Sequence, residues 1–266
     1  MVAILLASAQ LCTAAGGELK PQILTTPAGV RFGISGAKPR QPAPTLVVLA
    51  TSIEDTLGNK AYLKAGNDLA PRGFLLVSID LPCHGQSRRS GEAEGLHGWR
   101  LRLDKGKPLI DEINRDLSAV LDFLIAQRYT DPKRIAACGT SRGGFAALHF
   151  AAHDARVRCV AAYSPVTDLA VLREFTGSSS QVHALALVRK ADALAGRPIW
   201  IMIGDDDGRV STDKAIAFAR ALSHAAYARK LASGVELHVM PVAAHSGPPE
   251  AGTLSAAWIH KQLENP

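Results

Sequence analysis

The stretch Ile135-Ala136-Ala137-Cys138-Gly139-Thr140-Ser141-Arg142-Gly143-Gly144 decides how the rest of this chain is read. Four small or apolar residues with the look of a buried strand run into Gly-x-Ser-x-Gly, and Phe145 to Ala152 continues as a helical pattern. A strand that becomes a helix over so short a turn forces its serine into a strained backbone conformation. The positions two before and two after the serine must be small so that strand and helix clear each other, and Gly139 and Gly143 meet that need. Ser141 is then presented at a strand end and at a helix N-terminus, where free amides favour negative charge. The bare motif is a common chance match; between a strand and a helix it marks Ser141 as a candidate nucleophile.

Outward from that turn, apolar runs alternate with helical patterns. Ile23 to Thr26 and Val30 to Ile34 flank Pro27-Ala28-Gly29 and read as an antiparallel hairpin. The runs Leu46 to Ala50, Phe74 to Ile79, Val157 to Ala162, Ile199 to Ile203 and Val235 to Met240 are short and nearly continuously hydrophobic, as strands are when both faces of a sheet are covered. Leu109 to Gln127 places Ile110, Ile113, Leu117, Leu121 and Leu124 on one stripe, and Thr212 to Leu231 reads as a second long, Ala-rich helix with Lys and Arg near its end. Alternating strands and helices imply right-handed crossovers and a mostly parallel sheet in one α/β domain, from about residue 18 to 266.

A serine hydroxyl needs a base to take its proton, and the base needs an acid to hold its tautomer. In open α/β sheets such groups gather beyond the carboxyl ends of strands. Two later strand ends carry them: Gly204-Asp205-Asp206-Asp207-Gly208-Arg209-Val210, and Val242-Ala243-Ala244-His245-Ser246-Gly247. Of nine histidines, His245 alone follows the last strand in a loop of small residues, whereas His149 and His153 fall within the helix after Ser141 and His224, His238 and His260 fall on helices or mid-strand. Asp168, after another strand, reads as a helix N-cap and as the reserve acid. The residues alone leave the three neighbouring aspartates open.

The chain resembles the α/β-hydrolase superfamily, in the branch shared by dienelactone-hydrolase-like esterases and the catalytic domains of prolyl-oligopeptidase-like serine peptidases. The resemblance runs from about residue 23 to 264 and includes Asp80-Leu81-Pro82-Cys83-His84-Gly85-Gln86-Ser87, with Cys83 where the family usually has Gly, and Asp131-Pro132-Lys133-Arg134-Ile135. It implies an α/β-hydrolase fold, with an antiparallel N-terminal hairpin, helices on both faces and a small cap or none. It also implies a triad of Ser141, Asp207 and His245, since the family pattern Gly-x-x-Asp-x-x-Val selects Asp207, with Asp206 next. His84 is implied to be structural. The family usually has His-Gly after the third strand; this chain has Ala50-Thr51, so the oxyanion hole falls to the amides of Ser52 (Thr51 being the alternative) and Arg142.

Between Pro165 and Arg197, where this fold places its cap, about thirty residues leave room for two short helices. Arg88 to Lys107, carrying His97, Trp99, Arg100 and Arg102, reads as a variable loop, either a wall for an anionic or sugar-linked substrate or a solvated basic loop around one packed Trp. The reading is a serine esterase acting on a small-molecule or glycan-linked ester, with a peptidase or amidase using the same triad as the alternative. No metal-binding His-Glu-x-x-His and no Gly-rich phosphate loop is present, so no cofactor or metal is implied. The net charge of +6 arises from scattered residues, without the clustered stripe of a nucleic-acid binder. Cys12, Cys83, Cys138 and Cys159 form no CxxC and no disulfide framework. Val2 to Ala15 is uncharged, ends in small residues and is too short to span a bilayer. It reads as a signal peptide over residues 1–17, implying a secreted or periplasmic protein, although its start lacks Lys and Arg; the other reading is an ordinary buried helix of a cytoplasmic protein.

Overall fold

A computed structural model describes residues 20–178 and 180–264, so the leader-like segment lies outside the described residues. Eight strands form one sheet: β1 (Gln22–Thr25), β2 (Arg31–Ser35), β3 (Ala43–Leu49), β4 (Leu75–Ser78), β5 (Thr130–Thr140), β6 (Val157–Tyr163), β7 (Ile199–Gly204) and β8 (Val235–Met240). Their spatial order is β1-β2-β4-β3-β5-β6-β7-β8. The N-terminal hairpin β1–β2 is antiparallel and joins β4 antiparallel, while every pairing from β4 through β3 to β8 is parallel.

The crossovers are helical. Helices α1 (Ile53–Gly58), α2 (Lys60–Leu63) and α3 (Gly66–Leu69) connect β3 to β4; α4 (Gly95–Asp104) and α5 (Ile110–Ala126) connect β4 to β5; α6 (Arg142–His153) follows β5. A short α7 (Ser180–Ala184), with 3₁₀ turns around it, lies between β6 and β7, and α8 (Thr212–Ala228) and α9 (Ala251–Glu264) flank β8. The strand period of two divides the core between the two faces. On β3, Val47 and Leu49 pack with Leu117 and Leu121 of α5 and Phe145 of α6, whereas Leu46 and Val48 pack with Ile53 of α1 and Ala256 and Ile259 of α9. Both faces of the central strands are therefore covered, which accounts for their continuous apolar sequence.

Two boundaries differ from the sequence reading. The segment 88–107 contains helix α4, because Leu96, Trp99 and Leu103 recur at helical spacing and are buried against the core. Trp99 donates its indole N–H to the Pro82 carbonyl at 2.6 Å, and the buried Arg102 pairs with Glu92 and Glu112. Helix α8 stops at Ala228, leaving Arg229 and Lys230 just beyond its last turn. Between Pro165 and Arg197, α7 and its 3₁₀ turns make no large lid among the described residues.

Candidate active site

At the end of β5 the chain reverses direction through Ser141, whose φ of 55° and ψ of −116° lie where a residue with a Cβ is strained. The conformation is held from three sides. The Ser141 amide donates to the Tyr163 carbonyl of β6 at 2.9 Å, and its carbonyl accepts from the amides of Phe145 and Val166, each at 3.1 Å. A Cβ on Gly143 would stand 1.8 Å from the Leu49 carbonyl oxygen, and one on Gly139 would stand 2.3 Å from the Gly143 backbone. Both glycines are thus demanded by close approach.

Beyond β7 the three aspartates separate by burial. Asp205 and Asp206 are exposed, while Asp207 turns inward with a fully enclosed side chain. Its amide donates to Thr212 Oγ1 at 3.0 Å, and that hydroxyl donates to the Gly204 carbonyl at 2.6 Å, tying the loop to its own strand. One carboxylate oxygen, Oδ1, accepts from the amides of Arg209 (3.0 Å) and Val210 (3.2 Å). The other, Oδ2, lies 2.9 Å from His245 Nδ1. A carboxylate can only accept here, so Nδ1 carries the proton and Nε2 is left as an acceptor. His245 and Ser141 line one cavity of about 400 Å³ at the carboxyl ends of the parallel strands. A larger cavity of about 750 Å³, lined by Leu57, Leu63 and Phe74 among others, shares no lining residue with it and contains neither group.

Other sequence candidates take structural posts. Asp168 caps a 3₁₀ turn by accepting from the Ala170 amide and pairs with Lys214. His149 is buried under Leu185, and burial depresses its pKa to about 3. His84 donates Nδ1–H to the Pro82 carbonyl at 2.9 Å and accepts at Nε2 from Arg142 Nη1 at 2.8 Å; burial pushes its pKa down. Cys83, standing where the family usually has Gly, holds a left-handed φ of 63°.

The loop after β3 is organised by its own side chains. Ser52 caps α1, its Oγ accepting from the Asp55 amide at 3.1 Å, and the Thr51 amide donates to Thr56 Oγ1 at 3.2 Å. Asp80 Oδ1 accepts from the Ile53 amide at 2.8 Å, so the end of β4 fixes the backbone next to Ser52. Among the described residues, the Ser52 and Arg142 amides have no acceptor. Thr51 and Arg142 line the cavity with Tyr62 and Lys64, two residues that carried no signal in the sequence. Arg100 and Arg102, read as possible substrate contacts, are instead spent on Asp104 and backbone carbonyls and on Glu92 and Glu112.

An eight-stranded, mostly parallel sheet with a strained serine turning into a helix at the end of β5 is the α/β-hydrolase fold. The chain belongs to the prolyl oligopeptidase family, whose model matches residues 98–264. Among solved structures, a cold-adapted esterase from an Arctic intertidal metagenomic library superposes with a TM-score of 0.66 at 19% identity, covering 96% of this chain and 100% of that one. TT1662 from Thermus thermophilus does so with 0.65 at 22%, covering 92% and 98%. The Pyrococcus horikoshii acylaminoacyl peptidase gives 0.67 at 13%, with 94% of this chain on 42% of that one. In sequence, a segment of 105 residues, 40% of this chain, is 29% identical to the uncharacterized protein YcjY of Escherichia coli strain K12 and spans 30% of that protein's length.

Proposed function

We propose that this protein hydrolyses carboxylic esters through an acyl-enzyme on Ser141, with His245 as general base and Asp207 as the acid that orients it. The observation that carries the reading is the 2.9 Å contact of His245 Nδ1 with the enclosed Asp207 carboxylate, beside the cavity that Ser141 also lines. In this reading Ser141 Oγ attacks the acyl carbon while its proton passes to His245 Nε2. The tetrahedral oxyanion accepts from the amides of Ser52 and Arg142; Thr51 and not Ser52 lines the cavity, but the Thr51 amide is engaged with Thr56, and that favours Ser52 as the first donor. The C–O bond to the alcohol then breaks, the alcohol leaving with the proton from His245. Water attacks the acyl-enzyme by the same route, releasing the acid and restoring Ser141.

Peptide or anilide cleavage is the second reading, favoured by membership of the prolyl oligopeptidase family. Steady-state rates on a 4-nitrophenyl ester and on the 4-nitroanilide of the same acyl group distinguish the two. The ester reading expects turnover of the ester with the anilide at least about a hundredfold slower, and faster anilide cleavage overturns it. Ser141→Ala should abolish both turnover and labelling by an alkyl fluorophosphonate, the loss of a triad nucleophile costing about 10⁶-fold in kcat.

A further inference from the structure

The charges around the cavity that holds Ser141 and His245 are lopsided. Its lining includes Lys64 and Arg142 and no acidic residue. Among the described residues neither cation forms an ion pair, whereas Arg31 pairs with Asp80, Arg102 with Glu92 and Glu112, and Arg209 with Glu174, and the unpaired Arg197 is satisfied by the Asp154 and Val157 carbonyls. Glu174 is the carboxylate in electrostatic reach of Arg142, but both its oxygens are taken by Arg209, each at 2.8 Å. Asp207 faces His245. Arg142 is anchored by a neutral partner, His84, whose Nδ1–H is fixed on the Pro82 carbonyl so that Nε2 can accept. That bond uses one of the five guanidinium N–H donors. Lys64 is held at the end of α2 with φ of 48°, its ammonium 5.7 Å from the centroid of the buried Tyr163 ring.

Burial costs both groups proton affinity: desolvation pushes the pKa of Lys64 and of Arg142 below their ordinary values. A partly buried cation with no counter-charge is destabilising unless something pairs with it. We infer that Arg142 and Lys64 form an anion subsite beside Ser141, so that the substrate is an ester bearing a carboxylate or similar anion close to the scissile bond. This rests on the ester-hydrolase reading and adds the substrate's charge to it. Anion and cations meet in a partly desolvated cavity, where a charge-assisted contact is stronger than in water.

The test compares 4-nitrophenyl butyrate with the mono-4-nitrophenyl ester of glutaric acid, whose acyl chain ends in a carboxylate. The expected result is a kcat/KM ratio of anionic to neutral ester above about tenfold, falling as salt is raised because the attraction is screened. Lys64→Gln and Arg142→Gln should each lower that ratio several-fold, and the half-buried Lys64 gives a variant that spares the fold if Arg142→Gln melts early. Hydrolysis of the butyrate with a ratio near or below one, or a ratio indifferent to both substitutions, overturns the anion subsite and leaves the ester reading standing. If neither ester turns over while a fluorophosphonate still labels Ser141, the ester reading falls. Protection from labelling then decides the subsite: protection by glutarate beyond that by glutaramide upholds it, and equal protection overturns it.

Discussion

Replacing Asp207 by Asn changes one atom's chemistry at a site where the structure dictates the result. The side chain is fully enclosed and its Oδ1 accepts from the amides of Arg209 and Val210. An Asn oxygen can keep both of those bonds, so its amide nitrogen is obliged to face His245. That nitrogen only donates, so His245 Nδ1 becomes the acceptor and the ring proton moves to Nε2. A protonated Nε2 cannot take the proton of Ser141. The cost should match the loss of the correct tautomer in a serine protease, about 10⁴-fold in kcat, or roughly 5 kcal/mol of barrier at about 1.4 kcal/mol per decade. Stability should change far less, because volume and the two amide bonds are retained.

The assay is kcat/KM on an activated ester, with thermal melts to confirm folding, for Asn at 205, 206 and 207 in parallel. Asp205 and Asp206 are exposed, so their variants should stay within about twofold of wild type. An Asp207→Asn variant retaining more than a tenth of wild-type activity would refute the tautomer argument. A crippled Asp206→Asn would move the acid by one residue, and three active variants would send the search to Asp168.

Gly143→Ala should fail to give folded, active protein, since its Cβ would stand 1.8 Å from the Leu49 carbonyl and neither backbone can yield; soluble expression and a melt report it. His149 is held neutral, its pKa at about 3 against an ordinary 6.5, so the unfolded chain binds a proton there that the native state does not. Its contribution is fully present above about pH 6.5 and is lost as pH falls towards 3, so urea midpoints should decline across that window and decline less in His149→Met; equal slopes would contradict the assignment.

The central strands were legible because cover on both faces leaves uninterrupted apolar runs, whereas the edge strand β8, also read as covered, is half-exposed. The turn at Ser141 was legible because it admits only glycine at 139 and 143. Helix α4 was not. Its apolar residues Leu96, Trp99 and Leu103 are interleaved with Arg100, Arg102 and Asp104, and the charge of Arg102 is compatible with burial only because Glu92 and Glu112 meet it. Partners brought together by folding leave no mark in local periodicity. Lys64 and Tyr62 were invisible for the same reason: α2 is four residues long and carries no pattern of its own.

The proposed oxyanion side makes the sharper case. A reading that relies on His-Gly after the third strand has no purchase on Ala50-Thr51, yet a backbone donor depends on where the chain runs and not on which side chain it bears. Here three ties set that path: the Ser52 hydroxyl on the Asp55 amide, Thr56 on the Thr51 amide, and Asp80 on the Ile53 amide. Asp80 comes from the neighbouring strand end and also accepts from Gln86 and Arg31, so one carboxylate joins the loop after β3, the turn after β4 and the hairpin. None of Ala50, Thr51 and Ser52 has a positive φ, so the path needs no glycine; two local ties and the distant Asp80 carboxylate set it, and two amides, of Ser52 and Arg142, remain without an internal acceptor.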